Sequence, residues 1–379
     1  MKVPVPMRHP QEEVPARPRA RSGVRAARMT LYPQPGESTK AKLDRLVQYA
    51  RSHGSHGKAL ILTHDNPDPD SIAAGVALAH LLEKLAGVEA IVAYGGIVGR
   101  AENRALIKVL KLPVVPVSRV VFDDYDLICM VDTQPEQGNH SLPARHFPDV
   151  VIDHHPERPD SHLAPIADVG GPIGATSTLL ADYFRASGLK LPPAVATALF
   201  YGIKADTRDL GRQTTRQDVE AYLWLFPMTD KDALGAIEHP KLPAEYFRLY
   251  HTAIEKALAY EDAVVCDLGE IYAPDMVAEV AERFMSLAGM RWSLAFGEYE
   301  GALYYSIRTS DRRANAGRLI RDVIEAYPGG SAGGHGTMAG ARLPLRDLSG
   351  AAARRIREEI VRAFLDGFGV KVRKGKKLV

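Results

Sequence analysis

One histidine and three aspartates fall within seven residues at His64-Asp65-Asn66-Pro67-Asp68-Pro69-Asp70. They follow the apolar run Ala59-Leu60-Ile61-Leu62-Thr63 and precede a helical stretch. Two later apolar runs end the same way, at Asp132 and at Asp153-His154-His155. A fourth segment, Gly202-Ile203-Lys204-Ala205-Asp206-Thr207, closes an apolar helical pattern. Carboxylate oxygens and imidazole nitrogens make up the ligand set of Mn²⁺ and related divalent ions. Several aspartates side by side repel one another, and two divalent cations offset that repulsion. Asp70, ahead of Ser71-Ile72, also fits an ordinary helix N-cap, and a lone Asp132 after a strand would read the same way. Asp65 falls outside the ligand spacing and reads as a surface or supporting residue. Four such pieces, each ending an apolar run, favour a metal site over four unrelated caps.

A second concentration lies far downstream, at Gly333-Gly334-His335-Gly336, with Ser306-Ile307-Arg308 and Asn315 before it. Glycines let backbone N–H groups approach an anion, and a guanidinium offers a planar fork to phosphate oxygens. A plain Gly-rich turn is the simpler alternative; His335 and Arg308 tilt the reading toward binding. Gly174-Ala175-Thr176-Ser177-Thr178 opens a helix, so the N–H groups and hydroxyls of Thr176 and Ser177 could meet a phosphate. An ordinary Ser/Thr cap is the equal alternative.

The elements that must position these residues follow from periodicity. Helices are expected at Thr39–His53, Ser71–Leu85, Ala101–Leu110, Thr176–Ser187, Pro193–Ile203 and Thr215–Leu225. Strands are expected at Ala59–Thr63, Ala90–Ala93, Val114–Val117, Asp126–Val131 and Val150–Ile152. Strands alternating with helices argue for an α/β fold with a mostly parallel sheet. Ligands in such sheets sit beyond the carboxyl ends of the strands, so the four acidic pieces should converge on one rim. Residues 228–261 read as a helical connector, and then the grammar restarts. It gives strands at Ala263–Asp267, Trp292–Phe296 and Ala302–Ile307, and helices at Pro274–Leu287, Asn315–Tyr327 and Ser349–Leu365. A Gly-rich loop is expected over Gly329–Gly340. The resulting division is a disordered basic arm (1–38), a catalytic domain (39–240), a connector (241–261), a smaller α/β domain (262–370) and a basic, frayed tail (371–379).

With these motifs the sequence resembles the DHH phosphoesterase superfamily over roughly residues 58–345. His64-x-x-x-Asp68-x-Asp70 resembles its first motif and Val131-Asp132-Thr133 its second. Asp153-His154-His155 resembles the third, and Gly202 through Asp206-Thr207 the fourth. The resemblance implies that His64, Asp68 and Asp70 ligate metal, that Asp132 bridges two ions, and that His154 and Asp206 complete the set. It implies a supporting role for Asp153 and a substrate-facing one for His155. Gly333-Gly334-His335-Gly336 is similar to the Gly-Gly-His loop of the DHH-associated C-terminal domain of RecJ-like and oligoribonuclease-like members. Gly333, Gly334, His335, Arg308 and Asn315 then become substrate contacts. The implied activity is hydrolysis of phosphodiester or phosphomonoester bonds with two divalent ions, Mn²⁺ before Mg²⁺ or Co²⁺. Short oligoribonucleotides and 3′-phosphoadenosine 5′-phosphate come first as substrates, cyclic dinucleotides second and polyphosphate third. A nucleic-acid-binding scaffold without catalysis is the non-enzymatic alternative, disfavoured by the complete ligand set.

Composition bounds the rest. The chain has 379 residues, 48 Lys+Arg against 46 Asp+Glu, and two cysteines. That length suits about two domains at ~150 residues each. Cys129 and Cys266 each sit in an apolar run, which reads as two buried thiols in a reducing compartment. No apolar stretch reaches the ~18 residues of a membrane span, and no secretory signal is evident, so the expected location is the cytoplasm. Met29 is a second candidate initiator. The expected partners are a small nucleotide or short oligonucleotide and no membrane, with a homodimer allowed. The net charge of +2 hides a division. Residues 1–28 and 371–379 each carry +5, which leaves 29–370 at −8. An acidic body with basic ends suits a small anionic substrate held by metals better than a broad nucleic-acid surface.

Overall fold

The computed structural model describes residues 37–53, 57–311, 313–345 and 350–379. The expected arm therefore lies outside the described residues except for its last two, as does Met29.

The first unit contains α1 (Thr39–His53), β1 (Lys58–Leu62), α2 (Pro69–Leu81), β2 (Glu89–Tyr94), α3 (Ala101–Leu110) and β3 (Val114–Pro116). It continues with β4 (Leu127–Val131), β5 (Val150–Asp153), β6 (Ile166–Val169), α4 (Thr176–Ser187), α5 (Pro193–Asp206) and α6 (Arg216–Leu225). The six strands form one parallel sheet in the order β3-β2-β1-β4-β5-β6. Strands buried on both faces read as unbroken apolar runs, which is why Leu127–Val131 and Val150–Ile152 were legible. One face packs Ile61, Cys129, Val131 and Ile152 against Leu43 and Leu46 of α1, Ile72 and Leu78 of α2, and Leu180 and Phe184 of α4. The other face, around Leu60, Leu62 and Ile128, lies under Val115, Val120, Phe122 and Leu142 from segments that are not α-helical. Burying each such Leu or Ile stabilises by about 1.5–3 kcal/mol. The strand order reverses direction between β1 and β4, and the crevice beyond their carboxyl ends is where doubly wound sheets bind ligands.

The second unit follows α7 (Lys231–Glu238) and α8 (Ala244–Lys256). It contains β7 (Leu258–Tyr260), β8 (Ala263–Glu270), α9 (Met276–Phe284), β9 (Trp292–Tyr299), β10 (Ala302–Thr309) and α10 (Ala316–Ile324). It ends with β11 (Ser331–His335), β12 (Met338–Pro344), α11 (Gly350–Gly367) and β13 (Lys376–Lys377). The sheet order is β11-β12-β10-β9-β8-β7-β13. Leu249 and Ala253 of α8 share a core with Cys266 and Leu268 of β8, so this helix packs on the second sheet.

Two expectations need correction, and one strand was missed. The Gly-rich stretch is not a loop: β11 and β12 form an antiparallel hairpin whose two-residue turn is Gly336-Thr337. Gly334 sits at φ +136, and a Cβ there would meet the Ala339 backbone at 2.5 Å, so glycine serves the hairpin geometry itself. The tail is not wholly frayed, because Lys376 and Lys377 pair with β7 as an edge strand. Finally, β6 escaped the sequence reading because Ile166–Val169 is short and carries Asp168. Both cysteines are free and buried, and burial pushes their thiols up, as expected for inert core residues. Among the described residues no helix is long and apolar enough to cross a membrane.

Candidate metal centre

The carboxyl ends of β1, β4 and β5 deliver His64, Asp132 and Asp153-His154-His155 to one place, and the end of α5 brings Asp206 there. Three groups of side chains have donor atoms within 4.8 Å of one another. They are His64-Asp68-Asp132, Asp70-His154-Asp206 and Asp132-Asp153-His154-His155. Asp132 ties them together. Its Oδ2 lies 3.6 Å from His64 Nε2 and its Oδ1 lies 3.6 Å from His154 Nε2. Asp132 itself sits at φ +57, a left-handed backbone just past the strand end that favours glycine and costs other residues energy.

Local contacts fix each imidazole. His64 Nδ1 lies 2.9 Å from the Asp65 carbonyl oxygen, and His154 Nδ1 lies 3.0 Å from that of Ile173. A proton on Nδ1 in each ring turns the Nε2 lone pair toward the carboxylates, as metal-binding histidines require. His154 Nε2 is buried and has no hydrogen-bond partner among the described residues. It lies 3.3 Å from Asp206 Oδ2. Such an orphaned nitrogen among crowded carboxylates fits a cation between them.

Charge tells the same story. Burial, and then the charges of Asp70 and Asp68, push the Asp132 carboxyl well above its usual range. The same causes raise Asp206 to about 7. Burial also raises Asp70, which His154 partly offsets. Burial works against a charged His64, but Asp68 outweighs it and raises the imidazole to about 9. Protons thus take the place that the site's geometry offers to cations. The donor set fits two divalent ions.

The remaining expected residues have distinct places. Asp68, not Asp70, is the N-cap of α2, accepting from Ser71 N at 2.9 Å in a capping box. Asp153 is fully buried and accepts from His155 Nδ1 at 2.8 Å and from Gln134 Nε2 at 2.7 Å. Asp65 accepts from Ser141 Oγ at 2.8 Å, a supporting role. Thr176 and Ser177 are corrected: both are fully buried and cannot meet a substrate. Their N–H groups donate to the two oxygens of Asp70 at 2.7 and 2.8 Å, and Thr176 Oγ1 donates to Asp132 at 2.8 Å. The start of α4 binds an anion as its N–H groups should, but the anion is the protein's own carboxylate.

In the second unit Arg308 is the penultimate residue of β10 and is half-buried. Its Nη1 donates to Ser306 Oγ at 2.9 Å and to the Ile307 carbonyl at 3.0 Å. Asn315 is the N-cap of α10, its Oδ1 accepting from Arg318 N, so capping already occupies that oxygen. The hairpin turn lies beside both, since Ala316 N donates to the Gly336 carbonyl and Thr309 N to that of Thr337. Gly333 and Gly334 lie exposed on β11. The His335 side chain lies outside what the structure describes.

Sequence reasoning missed two buried positioning residues. Gln134 joins Asp153 to the following loop, accepting from Arg158 N at 2.8 Å and Ser161 Oγ at 2.7 Å. Asp218 is buried and accepts from Gly174 N, Thr178 Oγ1 and Thr215 N, which anchors the segment carrying Thr176. The spacing Thr215-x-x-Asp218 was a legible capping box; its reach to Gly174 was not.

Gly202 of the fourth motif matters for steric reasons. A Cβ there would stand 2.4 Å from Ser177 Oγ and 3.2 Å from Asp70 Cα. Gly202→Ala should therefore push α5 from α4, which carries Ser177, and from α2, and cost about 1–3 kcal/mol of stability. The check is thermal melting together with Mn²⁺ affinity by calorimetry; an unchanged affinity would show that the contact does not set the position of Asp70.

Comparison with known proteins agrees with this geometry. A model of the DHH family N-terminal domain matches residues 58–203, and a model of the DHHA1 domain matches 261–362. An uncharacterized protein of Methanocaldococcus jannaschii is 33% identical over 320 residues, 82% of this chain and 64% of that protein. A probable manganese-dependent inorganic pyrophosphatase of Staphylococcus aureus is 27% identical over 165 residues, 43% of this chain and 53% of that one. The chain thus spans less than two thirds of the length of either curated relative. The solved structure of an exopolyphosphatase-related protein from Bacteroides fragilis shares the fold, with TM-score 0.66 at 16% identity over 85% of this chain and 96% of that one. One match covers the sheet that gathers the histidines and aspartates and the other covers most of the sheet that carries Arg308 and the hairpin, so the chain carries a DHH family N-terminal domain followed by a DHHA1 domain.

Proposed function

We propose that the protein is a metal-dependent phosphoesterase hydrolysing phosphodiester or phosphomonoester bonds of small nucleotides. The observation that carries this reading is the meeting of two ligand groups at Asp132. His64, Asp68 and Asp132 would hold one divalent ion; Asp70, His154, Asp206 and Asp132 would hold the other. Mn²⁺ suits this set of carboxylates and imidazoles, with Mg²⁺ and Co²⁺ as weaker choices. Bound there, such ions act as Lewis acids toward phosphoryl oxygens and lower the pKa of water.

The chain's own residues supply the rest. Asp153 holds His155 through Nδ1 and through its backbone N–H at 3.1 Å. Burial opposes protonation of His155, but Asp153 outweighs it and raises the imidazole. The protonated ring carries a second N–H at Nε2, which can donate to a phosphoryl oxygen and stabilise charge developing there. Thr176 orients Asp132, and the paired N–H groups of Thr176 and Ser177 fix Asp70. Arg308, beside the hairpin turn, offers its fork to a second part of the substrate.

Short oligoribonucleotides and 3′-phosphoadenosine 5′-phosphate are the preferred substrates, because a second domain with an arginine beside a Gly-rich hairpin suits a nucleotide held away from the metals. The match to the pyrophosphatase covers only 43% of this chain, so it supports the metal centre and not that substrate. The test is a Mn²⁺ activity panel over short RNA, the bisphosphonucleotide, cyclic dinucleotides, polyphosphate and a chromogenic phosphodiester. Hydrolysis of a nucleotide, abolished by chelator, is expected. Binding without hydrolysis of any of the five would replace the enzyme with a scaffold.

A further inference from the structure

The two faces of the second sheet carry different side chains. Ile307 shares a core with Phe296 and Tyr305, so Arg308, the next residue along β10, points to the other face, where Glu282 of α9 feels its charge. On the Ile307 face, Ile320 of α10 and Ile360 and Phe364 of α11 cover the strands. Toward β8 the cover is incomplete. A cleft of about 570 Å³ opens there, within the range of small-molecule sites. Asp267, Phe296 and Tyr260 line it from the sheet, and Arg357, Val361 and Leu365 from α11. Cys266 and Leu268 belong to the core on the α9 side, so Asp267 between them faces the cleft. Asp267 pairs in register with Phe296, and Phe296 with Tyr305, which sets the three side chains in one row across β8, β9 and β10.

The polar groups of this row are loosely held. Arg357 Nη2 donates to Glu298 at 2.5 Å, but Nη1 reaches the two Asp267 oxygens only at 3.3 and 3.4 Å. Asp267 Oδ1 also accepts from Gly269 N at 2.9 Å, so Oδ2 is the less satisfied oxygen. The Tyr305 ring stacks on Phe296 at 5.3 Å, and its hydroxyl is buried with no partner among the described residues. Burial pushes that phenol up; Arg357 opposes the rise and Asp267 adds to it, so the hydroxyl lies among the same charges. The charge balance argues against an anion. Arg357, Arg362 and Arg373 stand among Asp267, Glu298, Glu358 and Asp366, and each arginine already has a carboxylate partner. The residues after α11 close the last wall. Glu261 accepts from the N–H groups of Lys371 and Val372 at 3.3 and 3.1 Å, and a Cβ on Gly375 would stand 2.6 Å from the Tyr260 ring.

Such a cleft suits an uncharged ligand with a flat, apolar body and a polar edge. On that edge, N–H donors would meet Asp267, and an acceptor beside them would meet Arg357 Nη1. Two short bonds then replace one long ion pair. Among the common nucleobases guanine presents two parallel N–H donors, at N1 and N2, next to the acceptor O6, and an aromatic side chain suits its face. We propose that the cleft binds a guanine base, with Asp267 and Arg357 on its edge and Phe296 against its ring. The site is separate from the metal centre, because Arg308 and the cleft lie on opposite faces of the sheet.

The test titrates guanosine into the full chain by calorimetry, with chelator present. Guanosine has no phosphate, so its binding does not depend on the hydrolysis proposed above. One-to-one binding is expected, with adenosine, cytidine and uridine about tenfold weaker or more. Asp267→Asn should weaken guanosine about tenfold or more, the worth of a charge-assisted hydrogen bond. Val361→Trp, at a half-buried position of α11, fills the cleft and should abolish binding. Arg308→Ala should bind guanosine as the wild type does. Thermal melts of the variants separate misfolding from lost recognition, and the wild-type selectivity decides the question even where a variant melts low. No binding of guanosine to the wild type, equal affinity for all four nucleosides, full affinity in a folded Asp267→Asn or Val361→Trp, or loss in Arg308→Ala overturns the proposal. Binding of spermidine in place of guanosine also overturns it and makes the cleft a polyamine site.

Discussion

Asp132→Ala is expected to lose more activity than any other single change at the centre. Removing an outer partner of a metal ligand typically costs ~10–100-fold, so removing the carboxylate shared by both ligand groups should cost well over ~100-fold. The two Asp132 oxygens serve different partners. Oδ2 approaches His64, while Oδ1 approaches His154 and accepts from Thr176. Alanine therefore leaves two imidazoles and a hydroxyl without their common partner. The variant should still fold, because in the metal-free protein it also removes a repelling carboxylate. Its apo form should melt no lower than the wild type, while Mn²⁺ stoichiometry falls. Turnover within tenfold of wild type would remove Asp132 from the centre.

The second large effect is the response of stability to Mn²⁺ and pH. At a hundredfold excess over its dissociation constant, a ligand stabilises by about 2.7 kcal/mol, and a domain this size gains roughly 2–4 °C per kcal/mol. Mn²⁺ should therefore raise Tm by about 5–10 °C at that excess. Without metal, Asp206 has a folded pKa of about 7 against an ordinary 3.8. The folded state then holds the extra proton, so its stability falls as pH rises between these values. His64, raised from 6.5 to about 9, adds stability below 6.5 that is lost as pH climbs toward 9. Both act in one direction from about pH 4 to 9. Asp68 and Asp153 are depressed and act the opposite way, but only at and below the ordinary carboxylate range. Since Mn²⁺ displaces those same protons, its gain in Tm should be larger at pH 8 than at pH 6. Melting curves over pH with Mn²⁺ or chelator decide this; a gain that shrinks as pH rises would place the metal elsewhere.

The grouping of the candidate ligand residues was legible because their segments end apolar runs, and a parallel sheet brings such ends to one rim. What surrounds them was not. Thr176 and Ser177 look like phosphate ligands in sequence, and only the fold shows Asp70 arriving from 106 residues away to take their N–H groups. Gln134 and Asp218 act through partners distant in sequence, which no local pattern encodes. The Gly-rich stretch misled in another way. Glycine permits both a loose loop and a tight hairpin, and the choice is made by pairing with Ala302–Arg308, which is itself nonlocal. The basic residues 371–379 read as tail by composition, yet backbone pairing with Leu258 and Ala259 overrides composition for Lys376 and Lys377.

That last strand has a bearing on how copies of the molecule treat one another in solution. An outermost strand presents unpaired N–H and C=O groups, an open invitation for another chain to extend the sheet. Here the outermost position is held by two consecutive lysines, both exposed. Two copies approaching along that side would bring like charges together before any backbone bond could form. The basic end of the chain thus serves as a guard against edge-to-edge stacking.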